Sequence, residues 1–339
     1  MHYYFDMRTV EEFSFEFNIT SVTRERNIAL ADIGVTHARF GLQTIDPIWR
    51  KLFNLNEDIR KIECAAELLV PTFEHVLCDI MYGMNGSNEN QTLKDIDKAV
   101  ELGLSNIDIY PINNVATSVK LHKQIKERTA EVFPAMRKLN MKLMIDEHMR
   151  HKGYVPYNGH GYVRHTGAPP ALITRDYSFI YHEHVYGYSN HDLLGFGVGA
   201  ISSVAENVIT NTSLREQYIA KMTDGDYVCQ VSQHAPVLDL VKPVVLRLPY
   251  HGEIDKSKVA MSQIPQGLLD RLQELIQAEL IVETDATYEL TRLGWLWYSN
   301  IMFYLIPESE QNILKKIVFE KLNANGREIT RDELIYCAD

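Results

Sequence analysis

Short β-rich runs alternate with helical patterns along the first third of the chain. That alternation restricts the fold more than any other feature, because it marks βαβ units wound around a parallel sheet. Phe13-Ser14-Phe15-Glu16-Phe17 alternates with period two, and a helical pattern from Thr23 to Asp32 ends before Gly34. Thr36 to Leu42 reads as the second strand, followed by a helical stretch from Ile48 to Leu69 interrupted near Asn54 to Asn56. His75 to Tyr82 is an apolar run closed by Gly83 and Gly86, and an amphipathic helix from about Leu93 to Leu102 follows it, with Gly103 as C-cap. Ile107 to Tyr110 is the fourth strand, stopped by Pro111; the helical pattern after it spans Val119 to Asn140 with a break at Pro134.

Glu16, Gln43, Asp79 and Tyr110 all fall near the C-terminal ends of these strands, the edge where α/β sheets and barrels bind ligands. Carboxylate acceptors beside an amide that both donates and accepts suit a ligand bearing an ammonium group and ribose hydroxyls. Each residue taken alone is more often a capping or structural group, and it is their shared position that points to a site.

The second half is less regular. Gly153 to Pro170, rich in Gly, Pro, His and Tyr, reads as a long irregular connection, and Tyr177 to Tyr188 as β-structure. Helices resume around Leu214 to Met222 and Gln266 to Ala278. Leu280 to Asp285, Tyr288 to Thr291 and Leu293 to Leu305 then read as strand, strand and helix, a winged-helix-like module. Glu274, Glu279, Glu283, Asp285 and Glu289 make that module acidic, which favours packing against the sheet over DNA binding. In the tail from Glu308 to Asp339, Ile313, Leu314, Ile317, Val318 and Leu322 recur at helical spacing and are expected to pack on the core.

Net charge is −11, with no dense Lys/Arg run, so nucleic acid is not an expected partner. No apolar stretch is long and uninterrupted enough to span a bilayer, and Met1 to Asp6 lacks the basic and apolar regions of a secretory signal; a cytoplasmic location is expected. Cys64, Cys78, Cys229 and Cys337 are too scattered for a disulfide framework or a metal knuckle. Gly195-Phe196-Gly197-Val198-Gly199-Ala200 lacks the acidic residue that a dinucleotide fold places about 20 positions on. His182 and His184 would share one strand face near His191, but polar residues beside a Tyr-rich strand are mostly surface features, and no metal is assigned.

The strand-end residues carry a resemblance. Glu16-Phe17-Asn18, Gly34-Val35, Phe40-Gly41-Leu42-Gln43, Asp79 to Met84 and Ile109-Tyr110-Pro111 occur in the order and spacing of the coproporphyrinogen-oxidase-like (HemN-like) radical S-adenosylmethionine enzymes, which they resemble. Asp192 to Ser202 is similar to a glycine-rich segment of that family, and Glu279 to Leu305 to its C-terminal module. The resemblance covers roughly residues 13 to 305 and implies an α/β fold: a partial (β/α) barrel with parallel strands plus a C-terminal helical, winged-helix-like domain. The expected divisions are 1–150 for the S-adenosylmethionine-binding half-barrel, 151–212 for the connection and Gly-rich segment, 213–306 for the C-terminal module and 307–339 for a helical tail.

Carried over residue by residue, the resemblance implies that Glu16, Gln43, Asp79, Pro111 and Ile201 line the S-adenosylmethionine pocket. It also implies a porphyrin or other large conjugated substrate. Tyr154, Tyr157, Tyr162, His160, Arg164 and His165 are the candidates for meeting it, since aromatics stack on a macrocycle and Arg or His pair with propionates. Two departures stand against the family pattern. Its [4Fe–4S] cluster is held by C-x-x-x-C-x-x-C, a spacing these cysteines do not have, and the arginine that meets the S-adenosylmethionine carboxylate aligns with Leu55. The chain resembles the family from about its third strand onward. The strand at Phe13 to Phe17 is then an apolar edge that an upstream segment, a partner chain or self-association should cover. Three readings follow: a radical oxidoreductase acting when the cluster segment is supplied, a cluster-free protein binding S-adenosylmethionine, heme or a partner enzyme, or a subunit completing a split barrel.

Overall fold

The computed structural model describes residues 4–55, 58–84, 87–112, 135–165, 187–188, 192–225, 229–233 and 236–324. Its first half is the alternating unit expected: β1 (Ser14–Phe17), α1 (Arg24–Asp32), β2 (His37–Gln43), α2 (Pro47–Leu52), α3 (Ile59–Leu69), β3 (His75–Tyr82), α4 (Glu89–Glu101) and β4 (Asn106–Pro111), followed by α5 (Ala135–His151). Local chemistry sets the helix starts. Thr23, Asp46, Asp58 and Asn88 each accept a backbone N–H of the first turn, and Pro47 follows Asp46 at the first helical position. The Asn88 cap starts α4 at Glu89, four residues before the position expected from the apolar pattern alone.

β1 to β4 lie side by side in chain order, all parallel. Ala38, Phe40 and Leu42 of β2, Val76, Cys78 and Ile80 of β3, and Ile107 and Ile109 of β4 pack with Ile62, Leu69, Ile96, Met141 and Ile145 of the helices. The opposite face carries the alternate residues, among them Arg39, Asp79, Asp108 and Tyr110. Strands in sequential order with helices on one face are the winding of a barrel wall. The described strands do not close it, and β1 is the edge, with Phe15 partly exposed.

Beyond β4 the sheet continues with β6 (Gly161–Arg164) and then β5 (Tyr154–Pro156), both antiparallel. The expected irregular connection is therefore, over its described part, a β-hairpin. Asn158 Oδ1 accepts the backbone N–H groups of His160 (3.0 Å) and Gly161 (2.7 Å), and this side-chain turn closes the hairpin. A Cβ on Gly159 would meet the Tyr298 ring at 2.3 Å, so that glycine marks close packing, not flexibility. The helical pattern at 119–134 and the strand expected at 177–186 lie outside the described residues.

β7 (Ile201–Val204), β8 (Asn207–Asn211) and β9 (Cys229–Gln233) form a separate antiparallel sheet, with α6 (Arg215–Asp224) between β8 and β9. α7 (Pro236–Lys242) and α8 (Leu248–His251) lead to the C-terminal module: β10 (Glu253–Asp255), α9 (Gln266–Gln277), β11 (Ile281–Glu283), β12 (Thr287–Leu290), α10 (Arg292–Leu296) and α11 (Tyr298–Leu305). Leu272, Ile281, Leu290, Trp295 and Leu305 belong to the same buried cluster as the strands, so one core spans sheet and module. α12 (Glu308–Ala324) corrects one expectation. Ile313, Leu314 and Ile317 are exposed, because the helix runs off the core after Gln311 ties back to the Ile306 carbonyl. No described helix is long and apolar enough to cross a membrane.

Candidate functional site

The helix-free face of the sheet gathers its charges around one guanidinium. Arg39, in the middle of β2, reaches across β3 to β4. Its Nη2 donates to Asp79 Oδ1 (2.5 Å) and to the Tyr110 hydroxyl (2.9 Å) and lies 3.4 Å from Asp108 Oδ2, while its Nε donates to Asp79 Oδ2 (3.3 Å). Asp108 is fully buried and accepts from the hydroxyls of Tyr157 (2.8 Å) and Tyr110 (3.2 Å). A Cβ on Gly161 would stand 2.6 Å from Asp108 Oδ1, so only glycine leaves that carboxylate its place. His160 lays its ring against Tyr110 at 4.2 Å between centroids, and Tyr250 closes on His160 from α8.

Burial and pairing pull these groups in different directions. Burial works against the Arg39 charge, but Asp79, Tyr110 and Asp108 more than compensate and keep the guanidinium protonated. At Asp79 burial outweighs the ion pair to Arg39, so its carboxyl sits above the ordinary value, with Glu16 adding to the rise. Burial pushes Asp108 up to about 6 despite Arg39, and lifts the Tyr110 and Tyr157 hydroxyls well above the usual phenol.

The rim above this cluster is set by an unusual turn at the end of β2. Gln43 has φ 64°, and the Thr44 N–H donates to the Leu42 carbonyl (2.8 Å), a γ-turn of the strained hand. Arg50 Nη1 clamps the turn from below through the carbonyls of Leu42 (2.9 Å) and Thr44 (2.8 Å), and Asp95 of α4 accepts the Ile45 N–H (2.8 Å). The Gln43 side chain thereby folds back over Gly41, where a Cβ would stand 2.6 Å from Nε2. Asp95, buried here, also has its carboxyl pushed up to about 6 by desolvation. A raised carboxyl holds its proton more tightly in the folded chain. Its stabilising contribution is therefore complete below about pH 4 and is lost as pH rises through about 6. Asp95→Asn is expected to flatten stability between pH 4.5 and 7 by about 2–3 kcal/mol in urea unfolding; an unchanged slope would contradict the assignment.

Of the five residues expected around the cofactor, the structure brings Glu16, Gln43 and Asp79 to one face of adjacent strands. Pro111 instead follows Tyr110 onto the other face of β4, where it lines a cavity of about 60 Å³ with Tyr82, Met136, Lys142 and Tyr298. Ile201 lies on β7 of the separate sheet and is more than half exposed. Of those expected around the substrate, His160 joins the cluster by ring contact with Tyr110 and Tyr157 joins it from a buried position through Asp108. Tyr154 and Tyr157 have no exposed surface: Tyr154 donates to the Leu104 carbonyl and Tyr157 to Asp108, so both rings are structural, and Tyr162 is buried against Trp295. Arg164 and His165 sit at the far end of the hairpin, where the Arg164 N–H meets the Ser105 carbonyl before β4, on the edge away from the strand ends. Leu55 is a half-buried turn residue after α2.

Arg39 and Asp108 are the members that sequence reading missed. Their period-two spacing with Gln43 and with Tyr110 was the available signal.

The two cysteines whose side chains are described do not share a site. Cys64 is exposed on α3, while Cys78 is buried on the helix-packed face with its thiol driven up by desolvation. Among the described residues no three His, Cys, Asp or Glu side chains are grouped to hold a metal. Residues 182–186 and 191 and Cys337 lie outside the described residues.

No protein-family profile matches the chain. Curated relatives and solved structures do, among them the following. The heme chaperone HemW of Lactococcus lactis subsp. lactis is 25% identical over 108 residues, 32% of this chain and 28% of the relative. The oxygen-independent coproporphyrinogen III oxidase of Cereibacter sphaeroides is 23% identical over 218 residues, 63% of this chain and 47% of the relative. The anaerobilin synthase of Escherichia coli O157:H7 is 26% identical over 129 residues, 38% and 29% of the two chains. The chain thus spans between about a quarter and a half of the length of these relatives. The structure of coproporphyrinogen III oxidase (HemN) from Escherichia coli, a radical SAM enzyme, superposes with a TM-score of 0.68 at 16% identity, covering 87% of this chain and 69% of that one.

Proposed function

We propose, from its kinship in sequence and fold with the HemN-like radical S-adenosylmethionine proteins, that this chain is the ligand-binding part of a radical oxidoreductase acting on a porphyrin or other large conjugated substrate. One observation carries the reading: Glu16, Gln43 and Asp79, on three successive strands, face the same side at the edge where such sheets bind ligands. Carboxylates and an amide are the acceptors and donors that the ammonium and hydroxyl groups of S-adenosylmethionine need, so the donor set fits that molecule. Glu16, Gln43 and Asp79 would hold S-adenosylmethionine, which when bound would supply hydrogen-abstraction chemistry. Among the described residues, Cys64 and Cys78 do not supply thiolates for a shared cluster, and no step is routed through one.

The chain's own part is binding and orientation. Gln43, held by the γ-turn, presents its amide at the rim. Asp79 is fixed by Arg39 and so arrives pre-oriented. His160, backed by Tyr110 and Tyr250, offers an aromatic edge to a flat substrate beside the rim. The relatives' names connect them to heme, coproporphyrinogen and anaerobilin, which supports a tetrapyrrole class.

The test separates strain from function. Gln43→Gly relieves the positive φ and is expected to stabilise the chain by about 1 kcal/mol. The same variant is expected to weaken S-adenosylmethionine binding about tenfold in equilibrium dialysis. A chain that does not bind S-adenosylmethionine, or a Gln43→Gly variant that binds it as well as the parent, would sink the assignment.

A further inference from the structure

The cavity of about 60 Å³ lies beside the end of β4, between the sheet, α5 and α11, on the face away from Arg39. A single water takes up about 10–15 Å³ of such space, so there is room for about four to six heavy atoms. Ile109, Leu139, Ile145 and Leu296 make much of the wall aliphatic, while Tyr162 of β6 and Lys142 of α5 bring a hydroxyl and an ammonium to it. Tyr162 is 2% exposed, and its hydroxyl meets no hydrogen-bond partner among the described residues. A buried hydroxyl with nothing to bond is uncommon and costly, and it points to a group that its surroundings do not themselves provide. Lys142 Nζ is held 4.0 Å from the Tyr298 ring centre and 4.8 Å from that of Trp295, and it donates to the Trp295 carbonyl (3.3 Å).

We propose that this cavity binds a short aliphatic carboxylate, either a free acid or the side arm of a larger molecule. Lys142 meets its charge, Tyr162 donates to one of its oxygens, and the aliphatic wall encloses its carbon chain. The site needs neither S-adenosylmethionine nor the rim on the other face of the sheet.

Charge and shape each narrow the ligand. The ammonium rests against two ring faces before any ligand arrives, so it meets an anion with a charge-assisted hydrogen bond at little ordering cost. Burial lifts the Tyr162 hydroxyl well above the usual phenol, so it remains a donor at neutral pH. Asp146, whose charge also acts on that hydroxyl, is paired with Arg150 and Arg292 and does not turn an anion away. Phosphate or sulfate would satisfy the ammonium but press oxygens against Ile109, Ile145 and Leu296, which have nothing to donate. A three- or four-carbon acid places carbon there instead.

Two pairs of ligands, titrated into the full chain and followed by saturation-transfer NMR, test the site. Butyrate against butyramide probes the free acid. A pyrrole carrying a propionate arm against its propionamide probes the side arm, and that pair alone draws on the tetrapyrrole reading. In at least one pair the acid is expected to bind about fivefold more tightly than the amide, or better. A preference with butyrate marks a site for the free acid, and one confined to the pyrrole marks a side-arm site. Lys142→Met, which keeps the stem against Tyr298, and Tyr162→Phe are each expected to erase most of the preference. Without ligand, Tyr162→Phe is expected to raise the melting temperature or leave it unchanged, because the hydroxyl it removes has no partner to lose.

A lowered melting temperature for Tyr162→Phe would make the hydroxyl part of the fold and overturn the site. No preference for the acid in either pair, as a cavity holding only water would give, or a preference that both variants retain, would overturn it as well. Tyr162→Phe decides the matter if Lys142→Met does not fold. Failure of S-adenosylmethionine to bind would sink the rim reading and leave this cavity standing.

Discussion

Replacing Trp295 with alanine is expected to remove about 4 kcal/mol of stability and to disturb the site although the residue lies outside it. Trp295 is fully buried between the C-terminal module and the sheet, edge-on to Tyr162 at 5.7 Å, with Lys142 Nζ 4.8 Å from its ring centre. Its Nε1 donates to the Asn158 carbonyl (3.1 Å), and the side chain of Asn158 shapes the turn that presents His160. The truncation therefore leaves a cavity and removes the indole hydrogen bond at the base of that turn. Urea unfolding followed by circular dichroism reads the first effect. Trp295→Phe, which fills most of the cavity without the N–H, is expected to recover more than half of the loss. A cost below about 1 kcal/mol for the alanine variant would mean that the module is not anchored through this ring.

The second large effect is expected at Asp146. Its carboxylate has no exposed surface and takes Arg150 Nε (3.1 Å) from its own helix, together with Arg292 Nε (3.0 Å) and Nη2 (2.9 Å) from the start of α10. Glu147 holds the same arginine from the solvent side (2.8 Å). Removing one partner of a buried ion pair costs about 3–5 kcal/mol, because the remaining charge is left without compensation. Asp146→Ala should fall in that range and Glu147→Ala below about 1 kcal/mol, since the latter pair is exposed and screened. Equal costs at the two positions would show that burial does not decide the strength of this contact.

Residues whose placement follows from periodicity were legible in the sequence. Glu16, Gln43 and Asp79 stand at the ends of runs with strand spacing, so their common edge follows from the alternation of strand and helix. Pro111, expected at the cofactor from the resemblance, follows Tyr110 by one residue, which in a strand means the opposite face. Arg39 and Asp108 were not singled out because a charge inside an apolar strand gains meaning only when neighbouring strands supply its partners. The tyrosines at 154 and 157 were read as ligand contacts from their composition-rich surroundings, whereas the Asn158 turn folds them inward. Nothing in the sequence marks Gln43 for a positive φ. That conformation is imposed by Arg50 and Asp95 from elements that follow it in the chain.

The order of the parallel strands also bears on how the chain reaches this state. Ser14 pairs with His37, His37 with His75 and Leu77 with Asn106, so every rung closes a loop through an intervening helix, whereas β11 and β12 meet across a tight turn. Long closures are slow and lose more chain entropy than local ones. The C-terminal hairpin is thus expected to form early, and the convergence of Glu16, Arg39, Asp79 and Asp108, one or more from each of four strands, late. A ligand that needs all four strands has nothing to hold on a partly wound chain. It would draw the population toward molecules that have completed every crossover, acting as a selective trap for the finished fold.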